Sequence, residues 1–163
     1  MDQNLKNYLE KHNIQYKIHE HPAVFTVAEH SKLIETIPKE VMHTKTLFLT
    51  DEDNNFYLVG IYAHKRLDLK SLKEKLGVKK KLCFASPEEL KEKLNLTPGS
   101  VSIFGMIYAK DVTLIVDKQV WQADKVGFHP NINTATLEIA HQGLEKFYNS
   151  LSVEKYILNL EDE

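Results

Sequence analysis

Gly127-Phe128-His129-Pro130-Asn131 sets a titratable imidazole between two residues that shape the backbone. Glycine lets a chain approach a ligand closely, and proline fixes the following bend. Histidine is the side chain whose unperturbed titration lies nearest neutrality, so His129 can exchange a proton or orient a water. A structural turn with a hydrogen-bonded histidine fits the same residues. Lys45 is the second candidate. It precedes the apolar run Leu47-Phe48-Leu49, where a lysine either snorkels to solvent or stands at a pocket mouth. An ammonium at a pocket mouth can hold a phosphate or stabilise negative charge developing on an ester oxygen.

Other chemistries lack their residues. No serine lies in a Gly-x-Ser-x-Gly elbow, and no glycine-rich phosphate loop is present. His19 and His21 share a face if their segment is a strand, but His-Glu-x-x-His and paired-cysteine patterns are missing, so neither a metal nor another cofactor is expected. His43 falls close to Lys45, whereas His12, His30, His64 and His141 read as surface residues. The single cysteine, Cys83, excludes an internal disulfide, and its neighbours Leu82 and Phe84 favour a buried thiol.

The elements that must carry these groups follow from pattern and punctuation. Asn4 to His12 places Leu5, Tyr8 and Leu9 on one helical face, and Ile14, Tyr16 and Ile18 then alternate as in a strand. Thr26-Val27-Ala28-Glu29 has capping-box form, predicting a helix toward Ile34. Lys45–Thr50 and Phe56–Tyr62 predict a hairpin around the polar turn 51–55. Asp68 caps a helix that stops at Gly77, and Ser86-Pro87-Glu88-Glu89 opens another. Lys81–Ala85, Val101–Phe104, Val112–Val116 and Leu137–Ala140 read as strands, Gly143–Leu151 as a final helix, and Glu161-Asp162-Glu163 as a fraying acidic tail. Strands outnumber helices, and the class is mixed α/β rather than a doubly wound parallel sheet.

A length of 163 residues suits one domain spanning residues 1–163. No stretch approaches the ~20 continuous apolar residues that span a bilayer, and the N-terminus has no apolar signal core. A cytoplasmic protein with no membrane partner is therefore expected. The net charge of −2 argues against a strongly basic nucleic-acid binder. Residues 60–95, however, hold ten basic and five acidic side chains. Lys79, Lys80 and Lys81 lie in that segment and can contact phosphates locally; a solvated helix surface with a basic connector is the other reading. Lysine greatly outnumbers arginine, so bidentate reading of bases is not indicated.

An ordered set of landmarks runs through residues 15–148: His21-Pro22 with Phe25-Thr26-Val27-Ala28-Glu29, His43-Thr44-Lys45-Thr46-Leu47, Leu82-Cys83-Phe84-Ala85-Ser86, Pro98 to Gly105, and Gly127 to Thr136. This set resembles the YbaK/ProX family, free-standing relatives of the bacterial prolyl-tRNA synthetase editing domain, and its last loop is most similar to the ProX branch. The resemblance implies a compact mixed sheet curled toward a barrel with helices outside. It implies a trans-editing deacylase that removes alanine from mischarged tRNA(Pro), binding the acceptor end, with prolyl-tRNA synthetase as a candidate partner. A cysteinyl-tRNA(Pro) deacylase and a non-catalytic tRNA- or synthetase-binding module are the rival expectations.

By the same resemblance Lys45, His129 and Gly127 are catalytic, the last through a backbone N–H that approaches the ester carbonyl. Phe25, Thr26, Thr46, Ser100, Phe128, Asn131 and Thr134 become candidate substrate contacts. Thr46 departs from the asparagine frequent at its position, keeping a hydroxyl and losing an amide. From the residues themselves, Asn131, Asn133 and Thr134 suit holding the loop, and Ser100 suits a turn as well as a pocket wall. No serine triad is required, since an aminoacyl ester is labile and the neighbouring ribose 2′-hydroxyl can assist.

Overall fold

The computed structural model describes residues 1–23 and 37–163. The predicted capping box at Thr26 and the helix toward Ile34 lie outside the described residues. Helix α1 (Gln3–Lys11) starts where the Asp2 carboxylate accepts from Asn4 N–H and buries Leu5 and Leu9. The rest of the chain runs β1 (Lys17–Glu20), β2 (Met42–Thr50), β3 (Phe56–Tyr62), α2 (Leu69–Leu76), β4 (Cys83–Phe84), α3 (Pro87–Leu94), a 3₁₀ helix (Ile103–Tyr108), β5 (Val112–Asp117), α4 (Lys118–Gln122), β6 (Lys125–Phe128), β7 (Ala135–Ala140), α5 (His141–Ser150) and β8 (Lys155–Leu158).

Among the described residues, eight strands form one mixed sheet in the order β1-β7-β6-β2-β3-β5-β8, with β4 also beside β2. The predicted hairpin is present: β2 and β3 pair antiparallel from Thr44↔Tyr62 to Thr50↔Phe56. Its turn is organised by Asp51, whose carboxylate accepts from the N–H groups of Asp53 and Asn55 and from Tyr57 Oη. Burial works upward on the Asp51 carboxyl, but these hydrogen bonds outweigh it and leave its pKa below the ordinary value. Burial, together with the Asp51 charge, pushes the Tyr57 phenol up to about 12.

Both predicted caps hold. Asp68 accepts from Lys70 and Ser71 N–H, and Gly77 ends α2 at φ 68°. Ser86 and Glu89 form a reciprocal capping box at α3. Side-chain alternation then sends residues to two cores. Phe48, Leu58, Leu114, Val126, Phe128, Leu137 and Ile139 join α1, α3 and α5 on one side of the sheet. Leu49, Val59, Ile61 and Ile115 pack with Leu72 of α2 on the other.

Three expectations fail for physical reasons. Val101–Phe104 is not a strand; Ser102 caps a 3₁₀ helix by accepting from Phe104 N–H at 3.1 Å, and Ile103, Phe104, Gly105 and Met106 are all buried. An apolar run buried on every side carries no period to read. Cys83 is exposed rather than buried, because β4 is two residues long and only the preceding Leu82 turns inward. The C-terminal tail does not fray. Glu163 N–H donates to Arg66 O at 2.7 Å, Asp162 accepts from Arg66 N–H at 3.0 Å, and Asp68 N–H donates to Glu161 O at 3.2 Å.

A buried ion pair anchors that tail. Asp117, fully buried at the end of β5, meets the Lys65 ammonium and also accepts from Leu160 N–H at 3.2 Å. The same ammonium donates to Leu160 O at 3.0 Å. Removing one partner of such a pair strands the other charge in a dry site, which costs about 3 kcal/mol or more. Asp117→Ala is expected to lose that much in urea unfolding, whereas Glu163→Ala, at an exposed pair, is expected to change stability by no more than about 0.5 kcal/mol.

Candidate functional site

The site is built on β2, which has different neighbours along its length. Met42 and His43 pair in parallel with Val126 and Gly127 of β6, whereas Leu49 and Thr50 pair with Phe84 and Cys83 of β4. Both neighbours lie on the edge away from β3. Between them, among the described residues, no strand pairs with Lys45, Thr46 or Leu47 on that edge. Ala63 N–H donates to His43 O on the β3 side, and Ala85 N–H donates to Phe48 O on the β4 side. Backbone groups alternate in direction along a strand, so Thr46 directs its N–H and C=O into the gap.

Side chains alternate perpendicular to this. His43 and Gly127 are register partners and share a face; Lys45, two residues along, stands on it as well. Gly127 also pairs with Glu138 of β7, and Thr136 of β7 pairs with His19 of β1. One half of this face is therefore polar. His19 Nε2 lies 3.0 Å from the buried Glu138 carboxylate. His21 Nε2 lies 3.0 Å from Thr136 Oγ1, and its Nδ1 lies 2.8 Å from Pro22 O. Because a carbonyl only accepts, neutral His21 carries its proton on Nδ1 and accepts the threonine hydroxyl at Nε2. The other half of the face is the apolar patch of Leu47, Leu49, Val59 and Ile61. Lys45 stands on the boundary.

A cavity of about 870 Å³ opens over the apolar side, with Lys45, Leu47, Arg66, Lys73, Leu82 and Phe84 in its wall. The volume is that of a ligand cleft. The Lys45 ammonium has no ion pair among the described residues. Its pKa lies below the usual lysine value, chiefly through burial; the Asp162 carboxylate opposes the shift and the Arg66 guanidinium adds to it. A partly desolvated cation with no ion pair among the described residues suits an anion or a developing oxyanion.

The remaining candidate residues divide. His129 is half-buried beside the polar half, its Nδ1 3.3 Å from Ala135 O, so the ring closes the loop from residue 129 to residue 135. Gly127 lies within the sheet, and its carbonyl accepts from Thr44 Oγ1 at 2.6 Å. Its N–H points to that same β2 edge and is not presented to a ligand. The missing side chain has a packing role instead: a Cβ at 127 would sit 2.9 Å from Thr136 Cγ2 and 3.3 Å from Val41 Cγ1.

Thr46 turns its side chain to the face opposite Lys45, where Gly60 is its partner; its backbone, not its hydroxyl, meets the gap. Phe128 is buried edge-on against Phe104 in the main core. Ser100 is buried and donates to Thr97 O at 2.8 Å, which makes it a turn serine. Asn131, at φ 63°, turns inward and donates to Asp2 at 3.1 Å. Thr134 is exposed, and its carbonyl accepts from His21 N–H at 3.0 Å. Phe25 and Thr26 lie outside the described residues. Lys79, Lys80 and Lys81 are exposed, and Lys81 reaches the cavity wall. The buried Glu138 and the exposed Phe84 were not singled out from sequence, although the alternation Leu137-Glu138-Ile139 signals a carboxylate on the face away from the core.

The described residues thus form a mixed sheet that parts around a partly desolvated lysine at the wall of a cleft. The pattern of the aminoacyl-tRNA editing domain matches residues 21–147. The prolyl-tRNA editing protein ProX of Acetoanaerobium sticklandii is 37% identical over 142 residues, covering 85% of this chain and 84% of that protein. The prolyl-tRNA synthetase associated domain-containing protein 1 of Mus musculus is 29% identical over 153 residues, covering 91% and 89%. Two crystal structures share the fold. Hypothetical protein APE2540 superposes with a TM-score of 0.74 at 22% identity, over 95% of this chain and 98% of that one. A protein proposed as a trans-editing enzyme for prolyl tRNA synthetase gives 0.73 at 18%, over 100% and 99%. The chain belongs to the aminoacyl-tRNA editing domain family and is an aminoacyl-tRNA deacylase.

The depressed pKa of Lys45 has a testable sign. Between the folded and unfolded pKa values the unfolded chain binds more protons, so stability rises with pH across that window. Lys45→Met is therefore expected to be more stable than the wild type at neutral pH, with the difference shrinking as pH rises toward the ordinary lysine value of ~10.4. Melting temperatures of both proteins from pH 7 to 10 check this; a constant difference would remove Lys45 titration as the cause.

Proposed function

We propose that the protein removes alanine from mischarged alanyl-tRNA(Pro) in trans, in the cytoplasm, by hydrolysing the ester to the terminal ribose. The observation that carries this reading is the Lys45 ammonium, partly desolvated at the wall of a cleft and without an ion pair among the described residues. The ammonium stabilises the oxyanion, and the Thr46 N–H directed into the gap of β2 is a fixed second donor. Water, assisted by the neighbouring ribose 2′-hydroxyl, attacks the ester carbon and gives up a proton. The tetrahedral intermediate then collapses, the ester C–O bond breaks, and the ribose oxygen takes a proton. His129 holds the loop beside this centre through Ala135 O.

Similarity of Gly127 through Asn131 to the ProX branch supports alanine as the acyl group. A pocket sized for alanine rejects proline by shape, whereas discrimination by a methylene alone reaches only ~1–3 kcal/mol. Similarity to the prolyl-tRNA editing protein ProX and to the prolyl-tRNA synthetase associated domain-containing proteins supports tRNA(Pro) as carrier and prolyl-tRNA synthetase as a partner that hands over the substrate.

Single-turnover deacylation of alanyl-, cysteinyl- and prolyl-tRNA(Pro) tests the reading. Alanine is expected to be released fastest and proline slowest. Lys45→Ala is expected to lower the alanine rate by about 10²-fold or more with circular dichroism unchanged. Faster release of cysteine would move the substrate to cysteinyl-tRNA(Pro), and near-normal turnover by folded Lys45→Ala would remove the lysine from the chemistry.

A further inference from the structure

Phe84 is the anomaly of the cavity. It is 63% exposed, the most exposed of the large hydrophobic side chains among the described residues. It does not dangle from a loop. Its backbone is held in β4, where it pairs with Leu49 of β2, and register puts it on the face that carries Lys45. Ala85 N–H bonded to Phe48 O at 3.0 Å and the α3 capping box immediately after it fix the chain on its C-terminal side. A rigidly mounted aromatic ring facing solvent costs free energy in an isolated molecule and favours a partner that covers it.

The rim around that ring is basic. Arg66, Lys70, Lys73 and Lys81 line the same cavity. The two acids there are already engaged: Asp68 caps α2, and Glu163 lies 3.5 Å from Arg66 Nε. A ring with a π-face free to stack, cations spaced along one groove, and the candidate catalytic ammonium in the same wall make the arrangement used to hold single-stranded nucleic acid.

We infer that Phe84 is the stacking platform for an unpaired base of the tRNA 3′ end, on the 5′ side of the aminoacylated adenosine, with Arg66, Lys70, Lys73 and Lys81 along its phosphates. This rests on the proposed deacylase reading and extends it, since the groove then delivers the ester to Lys45. The chain's net charge of −2 is no obstacle, because attraction is confined to one wall.

The experiment compares alanyl-tRNA(Pro) with alanyl-adenosine, which has the ester and no upstream base. For the wild type, kcat/KM is expected to be higher on the tRNA. In Phe84→Ala and Phe84→Leu the ratio of the two values is expected to fall roughly 5- to 100-fold, the range for one lost base stack, and Phe84→Trp is expected to restore it. Lys70→Gln/Lys73→Gln is expected to flatten the log–log salt dependence of tRNA binding by ~0.7 per lost phosphate contact. Melting curves establish that each variant is folded. An unchanged ratio in folded Phe84→Ala would overturn the inference. If the wild type hydrolyses neither ester, the deacylase reading fails by itself. Stacking is then judged by anisotropy with a labelled cytidine-cytidine-adenosine trinucleotide: weaker binding by Phe84→Ala sustains it, and equal binding overturns it.

Discussion

Backbone satisfaction along β2 is the constraint from which the site follows. A strand in the middle of a sheet must pair on both edges or leave polar groups exposed to something else. β2 meets that demand on its β3 edge throughout, but its other edge is divided between β6 at residues 42–43 and β4 at residues 49–50. A regular sheet would have closed the interval. Among the described residues a strand pairs at each end and none pairs between, while the β3 edge holds Lys45 and Thr46 in place. Sites built on strands hold their geometry better than sites built on loops, and a fixed donor needs no reorganisation when charge develops.

The second condition concerns the environment of Lys45. A fully solvated lysine would stabilise an oxyanion weakly, and a lysine paired with a carboxylate would already be neutralised. The apolar half of the face, with Leu47 and Leu49, supplies partial desolvation. The C-terminal segment supplies the field. Asp162 and Arg66 act on Lys45 with opposite sign, and both are positioned by the pairing of residues 66–68 with residues 161–163. That pairing is anchored by Asp117 and Lys65, which bond each other and the backbone of Leu160 just before the paired tail. A buried ion pair is weak evidence for stability in itself. Its position suggests a different use: it fixes where the tail runs, and the tail sets the charge balance around the catalytic candidate.

What the sequence could disclose divides along the line between local and non-local causes. The helix from Asp68 to Gly77, the capping box at Ser86 and the hairpin over residues 45–62 depend on neighbours within a few residues, and all three appear as expected. Lys45 was visible as a charge out of place before an apolar run, and the His19/His21 alternation was visible as a shared face. Orientation across the sheet was not. Phe128 and Thr46 carry the right residue types for a pocket, but register turns both toward the side opposite Lys45. Asn131 reads as a loop ligand until it is seen to reach Asp2, more than a hundred residues away in the chain. Gly127 suggested backbone approach to a ligand; the space it saves is taken by Thr136 and Val41. Cys83 looked like core because nothing local says that β4 ends after two residues. The short β6, β8 and α4 were missed for a related reason: four or five residues carry too little periodicity to stand out.

The division of the face into polar and apolar halves also explains how so small a catalytic set can suffice. Hydrolysis of an activated ester needs its carbonyl oxygen stabilised and its acyl group held still; it does not need a nucleophile made reactive by a buried relay. In the proposed reaction Lys45 meets the first need at the boundary between the halves. The polar half meets the second without new charges, because Glu138 is engaged by His19 and Thr136 by His21. Those contacts tie β1 to β7 and hold the strand beside Gly127 in place. His19 and His21, ambiguous as catalysts in sequence, are thus accounted for as braces, and Lys45 faces the cleft without an ion pair among the described residues. Specificity then falls to shape, which rejects a larger acyl group more effectively than it rewards a smaller one.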